Sequence, residues 1–197
     1  MPLLHILAGP NGAGKTTFYE TALAEKFIGS SLPFINVDLI TRSLGGYTSE
    51  NFVRADAIAR QEIAKHINGG LDFMIESNLA TQKDYDWIEA MVAKGYEIIL
   101  YFICTQNIQI NIGRVQKRVA EGGHNVATPI IEQRYRNGLT YLKGKLHKFG
   151  KAYLIDNSSE TAIVIAEIEN GVIKRKSSSC PAWVTDLLFI IERLSRK

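Results

Sequence analysis

The chain has 197 residues, a length that suits one well-buried domain and leaves little room for a second independent core. Its net charge of +3 and 22% charged residues are too balanced to argue for nucleic-acid or membrane binding by bulk attraction. Two cysteines, Cys104 and Cys180, match neither metal-ligand nor redox spacing and read as reduced packing residues, as expected of a cytoplasmic protein.

From the N-terminus, "LLHILAG" reads as a buried strand that leaves no room for a leader peptide ahead of it. It runs into "GPNGAGKTT" and a helix from about Lys15. "PFINVDLI" reads as the second strand, ending near Asp38, and Ser49 reads as the cap that announces a helix with Glu50 in its first turn. The apolar face of that helix repeats at Phe52, Ala59, Ile63 and Ile67, and Asn68 to Gly70 stop it. "DFMIESN" is the third strand. Thr81 with Asp84 three residues on fits a capping box, and Trp87, Ile88, Met91 and Val92 form the inner face of the helix that it opens.

"YEIILYFIC" is apolar on both faces, which predicts a central strand, and it is too short to span a bilayer. Ile108, Ile112, Val115 and Val119 stripe the next helix, which breaks at Gly122 and Gly123. Thr128 as cap and Pro129 at the first helical position start another, with its face at Ile131, Tyr135, Leu139, Leu142 and Leu146. "KAYLIDNS" is the last parallel strand. A hairpin turning at Asn170 and Gly171 follows, and an amphipathic helix from Pro181 to Arg196 presents Trp183, Leu187, Ile190 and Leu194. Strands alternating with helices predict an α/β domain over residues 1–197: a P-loop NTPase fold with a mostly parallel central sheet flanked by helices. A helical lid falls at roughly 107–140, and a C-terminal β-hairpin plus helix at roughly 160–197. No repeat or linker interrupts it.

Gly9, Gly14, Lys15 and Thr16 complete G-x-x-x-x-G-K-[ST] between a strand and a helix. In such a loop, Gly9, Pro10, Asn11, Gly12, Ala13, Gly14, Lys15, Thr16 and Thr17 curl so that backbone N–H groups converge on phosphates at a helix N-terminus. Lys15 reaches the β- and γ-phosphates of ATP, and the Thr16 hydroxyl can ligate Mg²⁺. Transporter ATPases have a similar loop, but they also need a strand ending in an acidic pair and an L-S-G-G-Q element, and neither occurs here.

Phosphate transfer to a hydroxyl needs a carboxylate near the γ-phosphate. Asp38 and Glu76, at the ends of the second and third strands, are the candidates, Asp38 for the base and Glu76 for substrate binding or indirect Mg²⁺ support. Arg114 and Arg118 lie one helical turn apart, His124 follows two glycines, and Arg134 and Arg136 start the next helix. From Gly113 to Lys148 there are eight Lys or Arg against two acidic residues. Glycines between two basic helices suggest a lid closing Arg114, Arg118 and Arg134 over phosphates, with Lys143, Lys145 and Lys148 solvated. For His124, a lid hydrogen bond to substrate and a plain loop position are both open. Few aromatics interleave with these charges, only Tyr135, Tyr141 and Phe149, so a nucleic-acid partner is not expected.

The run "AGPNGAGKTT", "FINVDLI", "FMIESNLA" and "NIGRVQKRVAEGGHNV…RYRNGL", covering roughly Leu3 to Leu142, resembles the zeta-toxin-like P-loop kinases. That resemblance implies an ATP- and Mg²⁺-dependent kinase acting on a sugar hydroxyl of UDP-N-acetylglucosamine, with Asp38 as base, Glu76 on the substrate, and Lys15, Arg118 and Arg134 on the phosphates. It also implies a small antitoxin partner, here separate, because the first strand starts at Leu3. Chloramphenicol phosphotransferases are similar too, with an acidic residue in the place of Asp38. The chain departs from the pattern at Val126-Ala127-Thr128-Pro129 and at Asn137, where relatives carry Val-Pro and arginine. Two readings therefore stand beside the nucleotide-sugar kinase: a kinase for another small molecule such as an antibiotic or nucleoside, and a nucleotide-switched ATPase that signals to a protein.

Overall fold

The computed structural model describes residues 1–194, so the predicted helical positions Ser195 and Arg196 lie outside the described residues. One seven-stranded sheet forms from β1 (Leu3–Ala8), β2 (Phe34–Ile35), β3 (Phe73–Ser77), β4 (Glu97–Cys104), β5 (Lys151–Asp156), β6 (Ile163–Glu169) and β7 (Val172–Lys176). In space the order is β2-β3-β1-β4-β5-β6-β7, with β2 to β5 parallel and β6 and β7 antiparallel. Strand β4, apolar on both faces, occupies the middle of the sheet as its composition requires. β1 pairs with β3 on one side and β4 on the other, so the chain order reverses beside β1 and opens a crevice at its C-terminal end.

The helices are α1 (Lys15–Ala24), α2 (Val37–Ser43), α3 (Ser49–Gly69), α4 (Gln82–Ala93), α5 (Ile108–Ala120), α6 (Thr128–Lys145) and α7 (Ala182–Leu194). α1 covers one face of the sheet, where Phe18 and Ala22 pack on Leu7, Met74, Tyr101, Ile103 and Ile155. α3, α4, α6 and α7 cover the other through Ala59, Ile88, Met91, Leu142 and Val184. Ile112 and Val115 of α5 with Ile131 of α6 make a separate small cluster, giving the basic helices a core of their own.

Local signals set several boundaries. Thr81 and Asp84 form the expected capping box, and Asn170 and Gly171 turn the hairpin with φ of 50° and 73°, the left-handed pair that a two-residue turn demands. Other expectations are corrected. The second strand is only two residues long, because Asn36 caps a helix that starts at Val37; Asp38 therefore lies in the first turn of α2, not at a strand end. Thr48, not Ser49, caps α3. α6 starts one residue early, with Ala127 at the cap and Thr128 already helical, so Pro129 is its second residue.

Val92 is 49% exposed and Tyr85 takes its place against the core. Val119 likewise ends up exposed, in the last turn of α5. In α7 the buried stripe runs through Trp183, Val184, Leu187, Leu188 and Ile191, leaving Ile190 half-buried. Lys145 is not simply solvated: it lies over the Tyr85 ring and 3.4 Å from Glu89, which also pairs with Lys148 at 2.9 Å.

Candidate active site

The loop between β1 and α1 owes its shape to three glycines with positive φ, Gly9 at 139°, Gly12 at 76° and Gly14 at 89°. A Cβ on Gly9 would strike the Ile103 carbonyl of β4, and one on Gly12 the Asn111 carbonyl of α5, so neither position has room for a side chain. The Ala13 N–H closes the turn on the Pro10 carbonyl at 3.2 Å. Gly14 sits at the cap of α1 with no side chain capping the helix. The N–H groups of Lys15, Thr16 and Thr17 thus have no intrahelical acceptor and give this end partial positive charge.

Those donors face a cavity of about 320 Å³ lined by Gly12, Gly14, Lys15, Thr16 and Thr17 on one side and by Asp38, Glu76, Arg114 and Arg118 on the other. Its charge is three cations against two carboxylates. Lys15 is only 6% exposed, and its ammonium donates to the carbonyls of Gly9 at 2.8 Å and Pro10 at 3.3 Å while lying 3.4 Å from Glu76 Oε1. A buried ammonium is tolerable because its three donors all have partners. Glu76 Oε2 accepts from Asn36 Nδ2 at 2.6 Å, so both oxygens of this carboxylate are held.

The arginines take different places. Arg114 donates to the carbonyls of Asn157 at 2.8 Å and Ser159 at 3.2 Å, tying α5 to the loop after β5. Arg118 donates through Nη2 to the His124 carbonyl at 2.8 Å, while its buried Nε has no partner among the described residues. Arg134 does not line the cavity; it donates to Asn11 Oδ1 of the loop at 2.8 Å. Arg136 pairs with Glu132 at 3.7 Å on the exposed side of α6. The His124 ring packs against Tyr47 and Phe52, with centroids 5.5 and 5.0 Å away, so its side chain contacts the loop before α3 and the first turn of α3.

Three asparagines that sequence reasoning missed buttress this site. Asn111, fully buried, donates to the Asn11 carbonyl at 2.8 Å and accepts from the Thr105 hydroxyl. Asn157 donates to the Ala13 carbonyl at 2.8 Å. Asn36 caps α2 through Oδ1 on the Leu39 N–H at 3.0 Å and holds Glu76. The only local signal for any of them was the position of Asn36 two residues before Asp38. Beside them, burial pushes the Cys104 thiol up to about 12 and raises the Tyr135 hydroxyl above its ordinary value; that hydroxyl donates to the Thr105 carbonyl at 2.6 Å.

Among known proteins, the family model described as Zeta toxin matches residues 1–166, a stretch that ends within β6. An uncharacterised protein of Haemophilus influenzae is 30% identical over 73 residues, which is 37% of this chain; the match spans about half, 49%, of that relative. Among solved structures, the AvrRxo1-ORF1:-ORF2 complex with ATP has a TM-score of 0.67 at 15% identity, covering 98% of this chain and 76% of that one. A structure from the PezAT chromosomal toxin-antitoxin system of Streptococcus pneumoniae has a TM-score of 0.59 at 15% identity, covering 100% of this chain and 86% of that one. At these identities the two structures speak for the fold. No helix among the described residues is long and apolar enough to cross a membrane.

Proposed function

The chain belongs to the zeta toxin family, and from that premise we propose that it is a cytoplasmic kinase transferring the γ-phosphate of ATP to a hydroxyl of a small molecule. The favoured acceptor is a nucleotide sugar such as UDP-N-acetylglucosamine. One observation carries the reading: a single cavity holds both an uncapped helix N-terminus with a buried lysine, suited to phosphates, and two carboxylates, suited to a hydroxyl. A second cavity of about 650 Å³, between α1 and the loop after β5, shares Thr17 with the first and offers room for the nucleoside end of ATP.

In this mechanism the loop N–H groups and Lys15 hold the β- and γ-phosphates, and the guanidinium groups of Arg114 and Arg118 neutralise charge on the transferring phosphoryl group. The Arg118 Nε, buried without a partner among the described residues, supports that role, since such a donor is costly until an anion arrives. Arg134 acts on phosphates through the loop that it braces. Asp38 accepts the proton of the acceptor hydroxyl as its oxygen bonds to phosphorus and the bond to the β-phosphate bridge breaks. Glu76 orients the acceptor. Thr16 is the residue that would hold Mg²⁺, which supplies charge neutralisation between the phosphates when bound. The likeness to the PezAT system supports a further element, that the chain is the toxin of a pair and binds a separate antitoxin.

The test is incubation with ATP, Mg²⁺ and a panel of UDP-sugars, nucleosides and antibiotics, with Lys15→Ala as control, read by mass spectrometry. A phosphate adduct on one acceptor, absent with the control, is expected. Steady ATP hydrolysis with no adduct would instead favour the nucleotide-switched ATPase.

A further inference from the structure

Asn36 does not line the cavity but holds Glu76, which does. It is 3% exposed, it follows β2 directly, and both polar ends of its amide are engaged in different elements. Oδ1 accepts the Leu39 N–H and so caps α2; Nδ2 donates to Glu76 Oε2. The other Glu76 oxygen lies against Lys15. A continuous polar path therefore runs from Lys15 through Glu76 and Asn36 to the first turn of α2, which carries Asp38.

We propose that Asn36 is a positioning residue that couples the state of Lys15 to the placement of Asp38. The proposal rests on the kinase reading above. In this structure the Lys15 ammonium is shared among the Gly9 carbonyl, the Pro10 carbonyl and Glu76. A polyphosphate competes for that ammonium with stronger, charge-assisted hydrogen bonds. As Lys15 turns to the phosphates, Glu76 loses its cation and draws more heavily on its other donor, Asn36 Nδ2. The amide is planar and rigid, so turning Nδ2 toward Glu76 also turns Oδ1 relative to the Leu39 N–H. The cap of a seven-residue helix is a large share of what holds its first turn, and Asp38 moves with it.

Two substitutions separate capping from coupling. Asn36→Ser keeps a good cap acceptor but is too short to reach Glu76. Asn36→Asp keeps both length and cap, but sets a carboxylate against a carboxylate. The experiment is hydrogen–deuterium exchange over residues 34–43 of the full chain, with and without Mg²⁺ and the non-hydrolysable analogue AMP-PNP, alongside calorimetric titration of the same analogue. In the wild type the analogue is expected to change exchange at the Leu39 amide by about threefold or more. In both variants that change disappears, while the analogue binds within about threefold of the wild-type affinity. With any acceptor that the wild type phosphorylates, kcat falls about tenfold at unchanged KM for ATP, the split expected of a residue acting on the transfer step. A nucleotide-dependent change that persists in both variants overturns the coupling, as does a wild-type chain that binds AMP-PNP with no change over 34–43. Failure of the wild type to bind the analogue at all overturns the kinase reading along with it.

Discussion

Removing the Asn111 side chain tests whether the phosphate loop is held from outside. In Asn111→Ala, the Asn11 carbonyl loses its donor, and the Thr105 hydroxyl loses one acceptor while keeping the Asn107 carbonyl at 3.0 Å. Only the Asn11 carbonyl is left fully unpaired, which costs about 1–3 kcal/mol. The lost side-chain volume is roughly 25 Å³, and at about 24 cal/mol per Å³ the cavity adds about 0.6 kcal/mol. The expected destabilisation is about 1.6–3.6 kcal/mol, or about 3–14 °C in Tm for a chain of this size. It should appear as a lower urea midpoint with an unchanged slope. Because the loop relaxes where Asn111 held it, affinity for Mg²⁺ and ATP should fall about tenfold in the same variant. In a double-mutant cycle, Thr105→Val should cost about 1 kcal/mol less once Asn111 is alanine. A loss below about 0.5 kcal/mol, the range of ordinary surface substitutions, with unaltered nucleotide affinity would refute the view that Asn111 braces the loop.

Asp38→Asn is expected to lower kcat for phosphate transfer by about 10²–10⁴-fold while ATP binds nearly as in the wild type; full activity in a transfer assay would make Asp38 structural. Burial pushes the Cys104 thiol up to about 12, so a thiol reagent at pH 8 should titrate Cys180 alone and reach Cys104 only after unfolding. Two fast-reacting thiols in the native chain would contradict that. For His5, burial lowers the imidazole pKa below its ordinary 6.5, partly opposed by the charge of Asp72. The folded chain then binds this proton more weakly than the unfolded chain does, so the contribution of His5 to stability is fully present above pH 6.5 and is lost as pH falls through the folded-state pKa. Urea midpoints of the wild type should drop across that window, and those of His5→Gln should drop less; parallel profiles would count against it.

What was legible in the sequence is what depends on near neighbours along the chain. The phosphate loop follows from glycines at fixed offsets between a strand and a helix, and the central place of β4 follows from apolar residues on both of its faces. The capping box at Thr81 and the turn at Asn170 follow from the chemistry of two to four adjacent residues. The same local logic misplaced Asp38, because "FINVDLI" suits a strand as well as a helix; the chain turns helical there, with the Leu39 N–H donating to Asn36 Oδ1 and the Ile40 N–H to the Asn36 carbonyl. Tertiary structure alone decided which side chains meet. Asn111 braces a carbonyl 100 positions away and Asn157 one 144 positions away, and Lys15 faces Glu76 because β1 and β3 lie side by side in parallel register. A buried amide gains its role from whichever unpaired carbonyl or carboxylate the fold brings to it. No periodicity records that partner, so these asparagines became visible as parts of the site only once the sheet had been assembled.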